Sequence, residues 1–322
     1  MRAAVIDRYG ASPKYGEFAR PVPRPGQLLI RVEAAALNPV DLRIASGTFY
    51  GGAPKLPYVP GGEGAGTVVE DGRSPKGRRV RFEVLRDESG GLAEWTAIND
   101  AACTPIPDDL PWATAAGLGV AGIAAWISLV DKVRLRRGER VLILGATGAV
   151  GQIAVQIARL LGAGRVVAAG RDPAALARTL ELGADALVAI AGQSMEELAA
   201  EFEAAALGPL DVVFDPLWGP PLMAATVACG PSARIVHLGQ SAGPEATLTS
   251  AVVRGRQLTI IGHASPATPL EKRTAAFRAL AEHAAAGRIR IDTEEMALSA
   301  VGSAWARQAG SPHVKLVLIP GR

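Results

Sequence analysis

A glycine-rich turn near the middle of the chain has the residue types and spacing of a dinucleotide-binding site. It follows the apolar stretch Val141–Leu144 and opens an amphipathic stretch with Ile153 and Ile157 on one face. Small residues at the three fingerprint positions allow a tight turn, a close approach of backbone to a pyrophosphate, and close helix packing. The free N–H groups at a helix start attract the anion. The predicted contacts are Ala146, Thr147, Gly148, Ala149, Val150 and Gly151.

The next apolar stretch, Val166–Ala169, ends at Gly170 and Arg171. At this position an acidic residue accepts the ribose 2′-OH of NADH, whereas an arginine binds the 2′-phosphate of NADPH. Arg171 therefore predicts NADPH, and a turn that binds nothing would leave this arginine unexplained. Asp172 follows directly and leaves an alternative open, because it can serve the cofactor or cap the next helix ahead of Pro173.

Two further places carry residues suited to a reaction at a bound nicotinamide. The amide of Asn38 can hydrogen-bond a carbonyl oxygen as negative charge develops there. An Asn-Pro dipeptide is also typical of a turn in which the asparagine bonds its own backbone, so both interpretations remain. Gly239, Gln240 and Ser241 follow the apolar stretch Arg234–Leu238, at a strand end where parallel sheets bind ligands. We expect these three residues to contact the ribose of the nicotinamide half.

The composition is that of a folded protein with room for two domains. The chain has 322 residues, of which 49% are hydrophobic and 20% are charged. The net charge is only +3 and basic residues are interspersed with acidic ones, which gives no indication of a nucleic-acid partner. The two cysteines, Cys103 and Cys229, form neither a disulfide framework nor the cluster of a zinc site.

No membrane segment is predicted. The N-terminal residues carry charge where a secretory signal needs an apolar run, so we expect a cytoplasmic protein. The uncharged stretch Leu110–Val130 is long enough to cross a bilayer by residue count. It is rich in Gly, Ala, Ser and Thr and leads into the glycine-rich turn, which favours a buried helix.

The order of the predicted elements indicates an α/β protein. Short strands separated by Pro and Gly precede residue 110, and from about 119 to 262 strands alternate with helices, as in a doubly wound parallel sheet. A helix over 268–286 and a strand over 315–319 are expected to return to the first, β-rich domain. The predicted strands are Ala3–Ile6, Gln27–Ala34, Gly64–Val69, Arg79–Val84, Ala93–Ile98, 141–144, 166–169, 186–189, 211–214, 234–238 and 257–261.

Several motifs together resemble one family. They are Asn38-Pro39-Val40-Asp41 with Ser46-Gly47, the stretch from Pro60 to Gly66, Ala146 to Gly151 with Gln156, Val212 to Asp215, and Lys315 to Pro320. The chain resembles zinc-independent quinone oxidoreductases of the zeta-crystallin type, in the medium-chain dehydrogenase/reductase superfamily, over nearly its whole length. The resemblance implies a GroES-like substrate domain of residues 1–118 and 263–322 and a Rossmann domain of residues 119–262. It also implies a homodimer joined through the strand near Gln257–Ile261.

Zinc-dependent relatives have a cysteine where this chain has Asn38 and a histidine where it has Gly62, and neither replacement ligates zinc in the same way. The resemblance therefore implies an NADPH-dependent oxidoreductase that works without a metal. Its hydride acceptor would be a quinone or an α,β-unsaturated carbonyl, because an electron-poor acceptor needs no Lewis acid. The resemblance also favours a catalytic role for Asn38, which would orient the acceptor.

The chain departs from the family at positions near the expected site. Arg43 stands where relatives often have a tyrosine beside the quinone, and it can bind an acidic substrate or the cofactor, or face solvent. Tyr50 and Tyr58, in the following loop, each have a phenol that can donate a proton; no motif singles one out, and solvent is the alternative acid. Asn38, Arg43 and Tyr50 are the predicted substrate-binding residues. Ile123 and Ile190 replace a threonine near the nicotinamide and a tyrosine near the adenosine phosphate.

The sequence leaves two other functions open. A zinc-type alcohol dehydrogenase would carry zinc in the purified protein. A non-enzymatic NADPH-binding structural or sensor protein would consume no NADPH with any acceptor.

Overall fold

The computed structural model describes residues 1–70, 77–85 and 89–321. The chain forms two compact units. The first unit combines Met1–Ala121 with Leu270–Arg322, and the second unit is Gly122–Pro269.

The N-terminal segment consists of short strands and short helices separated by turns. Its elements are β1 (Arg2–Val5), β2 (Lys14–Glu17), β3 (Gln27–Ala36), α1 (Pro39–Ala45), β4 (Glu63–Glu70), β5 (Arg79–Glu83), β6 (Trp95–Asn99), β7 (Cys103–Pro105), α2 (Trp112–Gly117) and α3 (Val120–Trp126). A turn of π-helix, Ile127–Lys132, follows.

The middle segment alternates strands with helices. Its elements are β8 (Arg140–Leu144), α4 (Ala149–Leu160), β9 (Arg165–Gly170), α5 (Pro173–Ala177), β10 (Ala186–Ala189), α6 (Met195–Ala206), β11 (Leu210–Asp215), α7 (Gly219–Ala228), β12 (Cys229–His237), α8 (Ser250–Gly255) and β13 (Thr259–Gly262). The C-terminal segment adds α9 (Leu270–Ala285), β14 (Thr293–Ala297), α10 (Val301–Ala309) and β15 (Lys315–Ile319).

The main sheet of the first unit joins the two ends of the chain. Its strand order is β14-β15-β3-β4-β5-β7, with β6 also paired to β3. The C-terminal strand β15 runs antiparallel to β3, and the Leu37 N–H donates to Leu316 O at 3.0 Å. This pairing brings Lys315, at the start of β15, to the residues that follow β3. Apolar side chains such as Ile30, Phe82 and Leu318 form the core beneath the sheet.

The second unit is built on a parallel sheet with the strand order β10-β9-β8-β11-β12-β13. The chain moves outward from β8 in one direction through β9 and β10, and in the other through β11, β12 and β13. The order therefore reverses between β8 and β11, the place where such sheets bind dinucleotides. Buried apolar residues that include Leu142, Phe202 and Val213 fill the core. The fold class predicted from the sequence is confirmed.

The sequence pattern did not predict β2, β7 or β14. The strand β14 contains no fully buried residue, and β2 is mostly exposed, so neither carries the apolar alternation that identifies a strand. The stretch Leu110–Val130 forms α2 and α3 rather than one continuous helix. Gly119 lies at the break between them, where a Cβ atom would come within 1.7 Å of Glu63 Oε2. Among the described residues, no helix combines the length and the apolar character needed to cross a membrane.

Candidate cofactor and substrate sites

The turn between β8 and α4 presents backbone N–H groups at the carboxyl end of the parallel sheet. Gly148 is the N-cap of α4, and the Gln152 N–H makes the first intrahelical bond, to Gly148 O at 2.9 Å. The N–H groups of Ala149, Val150 and Gly151 therefore have no acceptor within the helix. Together with the helix dipole, they form a site for an anion.

The two glycines of this turn have different roles. A Cβ atom at Gly151 would come within 2.3 Å of Gly145 O, so only glycine lets α4 pack this closely on the turn. A Cβ atom at Gly148 would meet only Gly145 O, at 3.6 Å, which leaves open space for a ligand. The side chain of buried Gln152 holds the turn by donating to Thr147 O at 2.8 Å. The turn fits the pyrophosphate of a dinucleotide.

Arg171 is exposed directly after β9, on the strand next to the glycine turn. The neighbouring carboxylate has a structural task, because Asp172 Oδ1 accepts the Ala175 N–H at 2.7 Å and caps α5, with Pro173 in the first turn. Of the two alternatives for Asp172, the structure thus shows the helix cap. The exposed guanidinium of Arg171 therefore lies at the end of β9, where it can bind a phosphate.

The predicted nicotinamide-side residues form a turn after β12. A Cβ atom at Gly239 would come within 2.5 Å of Pro216 O, so this glycine is required for the turn to pack against the end of β11. Ser241 Oγ donates to the same Pro216 O at 3.0 Å, and Gln240 is exposed. The turn is therefore fixed at its two ends and presents Gln240 between them.

The sequence did not indicate a cluster formed by Asp215, His237 and Trp218. Asp215 Oδ1 accepts the backbone N–H groups of Leu217 and Trp218, at 2.9 and 2.8 Å. Asp215 Oδ2 lies 2.8 Å from His237 Nδ1, and the Trp218 ring packs on the imidazole with 4.1 Å between ring centroids. In the sequence, Asp215 was visible only as the end of the motif Val212 to Asp215.

In the first unit, Asn38 is buried in a polar cluster. It lies between β3 and α1, and 3% of the residue is exposed. Its Nδ2 donates to Glu63 Oε1 at 2.8 Å and lies 3.5 Å from Ala36 O, while Lys315 Nζ donates to its Oδ1. The amide thus joins a carboxylate to an ammonium group. Both partners lie in the motifs that the sequence singled out, but the sequence assigned them no role.

A chain of buried charges extends from this amide. Glu63 Oε2 accepts the Val120 N–H and lies 3.5 Å from Arg81 Nη2. Arg81 Nη1 lies 3.4 Å from Glu83 Oε2, and Arg273 Nε lies 3.2 Å from Glu83 Oε1. Carboxylates and cations alternate along the chain, which offsets the large desolvation penalty of each group. Removing one member would leave each of its neighbours with one charged partner fewer.

Asp41 holds the start of α1. Its carboxylate accepts the Asn38 N–H at 2.8 Å and the Gly62 N–H at 3.0 Å. Burial raises the pKa of Asp41 to about 6, chiefly because the charged form loses its hydration, and nearby Glu63 adds a smaller repulsion. Asp41 is therefore a helix-capping residue at the start of α1.

The other two predicted substrate residues lie on the surface of the first unit. Arg43 is exposed on α1. Tyr50 is 79% exposed, and its ring centroid lies 4.4 Å from that of Phe49. The substrate-binding roles of Asn38, Arg43 and Tyr50 stay predictions.

The residues at the positions of the family's catalytic zinc ligands do not fit that ion. Asn38 offers an amide oxygen that already accepts a hydrogen bond from a positively charged ammonium, and Gly62 has no side chain. A divalent cation at this oxygen would be repelled by Lys315. Within the described part of the chain, no group of three or more His, Cys, Asp or Glu residues is arranged to hold a metal ion.

Two family models match the chain. Residues 24–108 match the alcohol dehydrogenase GroES-like domain, and residues 149–283 match the zinc-binding dehydrogenase domain. A solved structure of an alcohol dehydrogenase superfamily protein from Novosphingobium aromaticivorans has a TM-score of 0.85 and 28% identity, with 99% of each chain covered.

Curated relatives align over shorter stretches. Human quinone oxidoreductase is 35% identical over 167 residues, which is 50% of each chain. The chloroplastic NADPH-dependent alkenal/one oxidoreductase of Arabidopsis thaliana is 34% identical over 199 residues, 59% of this chain and 49% of the relative. The chain thus spans about half the length of the curated relatives it matches.

The different roles of the two glycines predict different effects of one added methyl group. Gly148→Ala should fold with a loss of less than about 1 kcal/mol, because the space is open and the backbone suits alanine, yet bind NADPH at least about 10-fold more weakly. Gly151→Ala should lose about 1–3 kcal/mol of stability through overpacking. Calorimetric titration and thermal unfolding measure both. Wild-type affinity in Gly148→Ala would contradict the assignment of the open space to a ligand.

The raised pKa of Asp41 predicts that the stability of the protein depends on pH. Its pKa is higher in the folded protein than in the unfolded chain, so its contribution favours folding at low pH and is lost as the pH rises from about 4 to about 6. The free energy of unfolding of the wild type relative to Asp41→Asn should therefore fall by about 2–3 kcal/mol between pH 4 and pH 7. Denaturant unfolding of both proteins at several pH values gives the difference. A difference that does not change with pH would refute this titration.

Proposed function

The chain belongs to the medium-chain dehydrogenase/reductase superfamily, and from this premise we propose that it is an NADPH-dependent oxidoreductase that reduces a quinone or an α,β-unsaturated carbonyl without a metal ion. The proposal rests on two neighbouring features, the glycine turn after β8 and the exposed Arg171 directly after β9. The carboxylate of Asp172 beside Arg171 is already used to cap α5. This arrangement suits a phosphorylated dinucleotide.

The residues that would hold NADPH all belong to the second unit. The N–H groups of Ala149, Val150 and Gly151 would bind the pyrophosphate, and Arg171 would bind the 2′-phosphate. The turn Gly239–Ser241 would contact the nicotinamide-side ribose. The nicotinamide, when bound, supplies a hydride. Preference for NADPH over NADH then follows from the charge of Arg171, because the 2′-phosphate is the only feature that distinguishes the two cofactors.

The class of acceptor is supported by the relatives and by the chemistry of the first unit. The relatives that match include a quinone oxidoreductase and an NADPH-dependent alkenal/one oxidoreductase. Quinones and conjugated enones accept a hydride without a Lewis acid, since their carbonyl groups already withdraw electrons from the reacting carbon. A simple ketone needs stronger polarisation, which the zinc ion of other superfamily members provides.

Asn38 would polarise the acceptor with the amide hydrogen that Glu63 does not use. That hydrogen has only a long contact, 3.5 Å from Nδ2 to Ala36 O. Lys315 donates to the amide oxygen and withdraws electron density from it, which makes the N–H groups stronger donors. A donor held rigidly in this way stabilises negative charge as it develops on the acceptor oxygen. The exposed side chains of Arg43 and Tyr50 are proposed to contact the remainder of the acceptor.

A homodimer is part of the proposal. The strand β13 is the last in its sheet, and its central residues Ile260 and Ile261 are only half-buried. An open, apolar sheet edge favours pairing with an identical edge, and two-fold symmetry closes such an assembly.

The cofactor preference is testable by a single substitution. Arg171→Ala should weaken NADPH binding about 10- to 100-fold and leave NADH binding unchanged, because one charge-assisted contact with the 2′-phosphate is lost. Arg254→Ala, also exposed and in the second unit, removes the same charge elsewhere and should affect neither cofactor. Fluorescence titration measures the dissociation constants. Equal losses for NADPH and NADH in Arg171→Ala would disprove the phosphate contact.

The reaction is tested by following NADPH oxidation with a naphthoquinone, a conjugated enone and a saturated ketone. We expect turnover with at least one of the first two and none with the ketone. In Asn38→Ala, kcat should fall about 100-fold while the dissociation constant for NADPH stays unchanged. Glu83→Gln disturbs the far end of the same buried chain without touching Asn38, and should lower stability but not kcat. Full turnover in Asn38→Ala would rule out its role, and preference for the ketone would rule out the acceptor class.

A further inference from the structure

A fully buried carboxylate fixes the imidazole of His237 at the carboxyl end of the parallel sheet. Asp215 and His237 are the last residues of β11 and β12 and form a register pair. One carboxylate oxygen of Asp215 is used by two backbone N–H groups, and the other faces His237 Nδ1 at 2.8 Å. Because a carboxylate only accepts, Nδ1 is the nitrogen that carries hydrogen.

This hydrogen bond also determines whether the second ring nitrogen, Nε2, donates or accepts a hydrogen bond. With hydrogen on Nδ1, the Nε2 of the neutral imidazole is a hydrogen-bond acceptor. Within the residues that the structure describes, Nε2 has no protein partner, and 26% of the side chain is exposed. The ring therefore offers one accessible acceptor atom in a fixed orientation.

The Trp218 ring packs against a face of the His237 imidazole. Its backbone has φ 59° and ψ −165°, a conformation that residues other than glycine rarely adopt. In this conformation its N–H bonds Asp215 and its ring packs on His237 at 4.1 Å, tilted by 44°. Backbone strain of this kind persists only where the surrounding contacts enforce it, and it is concentrated at ligand sites. The imidazole is thus held by a carboxylate and by an indole.

The position of His237 in the sheet identifies the ligand group it would meet. The pyrophosphate turn follows β8, and Arg171 follows β9 on one side of it. A dinucleotide with its 2′-phosphate at Arg171 extends in the other direction, across the ends of β11 and β12. His237 ends β12, two residues before Gly239. The group nearest this strand end is the ribose of the nicotinamide half, which carries two hydroxyl donors.

We propose that His237 is a positioning residue for the cofactor, and that its Nε2 accepts a hydrogen bond from a hydroxyl group of the nicotinamide-side ribose. The inference deepens the proposed function and rests on it, because the ligand is NADPH. Asp215 and Trp218 act through the imidazole by fixing its tautomer and its orientation. The contact sets how the nicotinamide half lies on the sheet and does not involve the adenosine half.

The contact is tested by calorimetric titration with two ligands, NADPH and adenosine 2′,5′-bisphosphate, which lacks the nicotinamide half. His237→Phe keeps a ring against Trp218 but has no nitrogen. It should bind NADPH about 5- to 10-fold more weakly, as expected for one lost hydrogen bond, and bind the bisphosphate as the wild type does. Arg171→Ala is the matched control and should lose affinity for both ligands. Wild-type NADPH affinity in His237→Phe, or equal losses for both ligands, would overturn the contact.

A measurement on the wild-type protein does not depend on the folding of a variant. In ¹⁵N spectra of the histidine rings, the unprotonated nitrogen of His237 should shift toward the position of a protonated one when NADP⁺ is added, and should not shift with the bisphosphate. If both ligands bind but NADP⁺ causes no shift, the inference about His237 is overturned and the proposed function is unaffected. If the wild type binds neither ligand, the proposed function fails and this inference fails with it.

Discussion

The first unit depends on one buried carboxylate, that of Glu63. It binds the Asn38 amide, the Lys315 ammonium, the Arg81 guanidinium and a backbone N–H at the start of α3. These partners come from segments at both ends of the chain, so the charge of Glu63 is stabilised only when the segments have assembled. The same carboxylate excludes any side chain at Gly119, which lies between α2 and α3.

The Glu63 network also determines which charged group lies next to the Asn38 amide. In the proposed reaction the positive charge near the acceptor would be the Lys315 ammonium, acting through the Asn38 amide, where a zinc enzyme has a metal ion. An ammonium that acts through one hydrogen bond polarises a carbonyl acceptor less strongly than a bound metal ion does. An enzyme of this kind would be limited to acceptors that are reactive on their own. In the proposed function, the second unit would orient the donor through the glycine turn and the Asp215–His237 pair.

The sequence predicted the parts of the molecule that depend on local pattern. The glycine spacing, the strand ends and Arg171 were all visible because each follows from neighbouring residues, and both the fold class and the superfamily are confirmed. The contacts of Asn38 were not visible, since Lys315 lies 277 positions away and the pairing of β15 with β3 brings them together. The Asp215–His237 pair was missed for the same reason, as adjacency of parallel strands is a property of the sheet.

The proposed reaction is the reduction of an acceptor by NADPH with Lys315 and Asn38 in place of a metal. The most direct measurement is the rate of NADPH oxidation with a quinone or enone after extensive treatment with a chelator, with the metal content of the same sample determined by mass spectrometry. We predict an unchanged rate in protein that contains far less than one equivalent of zinc. A rate that is lost on chelation and restored by stoichiometric zinc would contradict it.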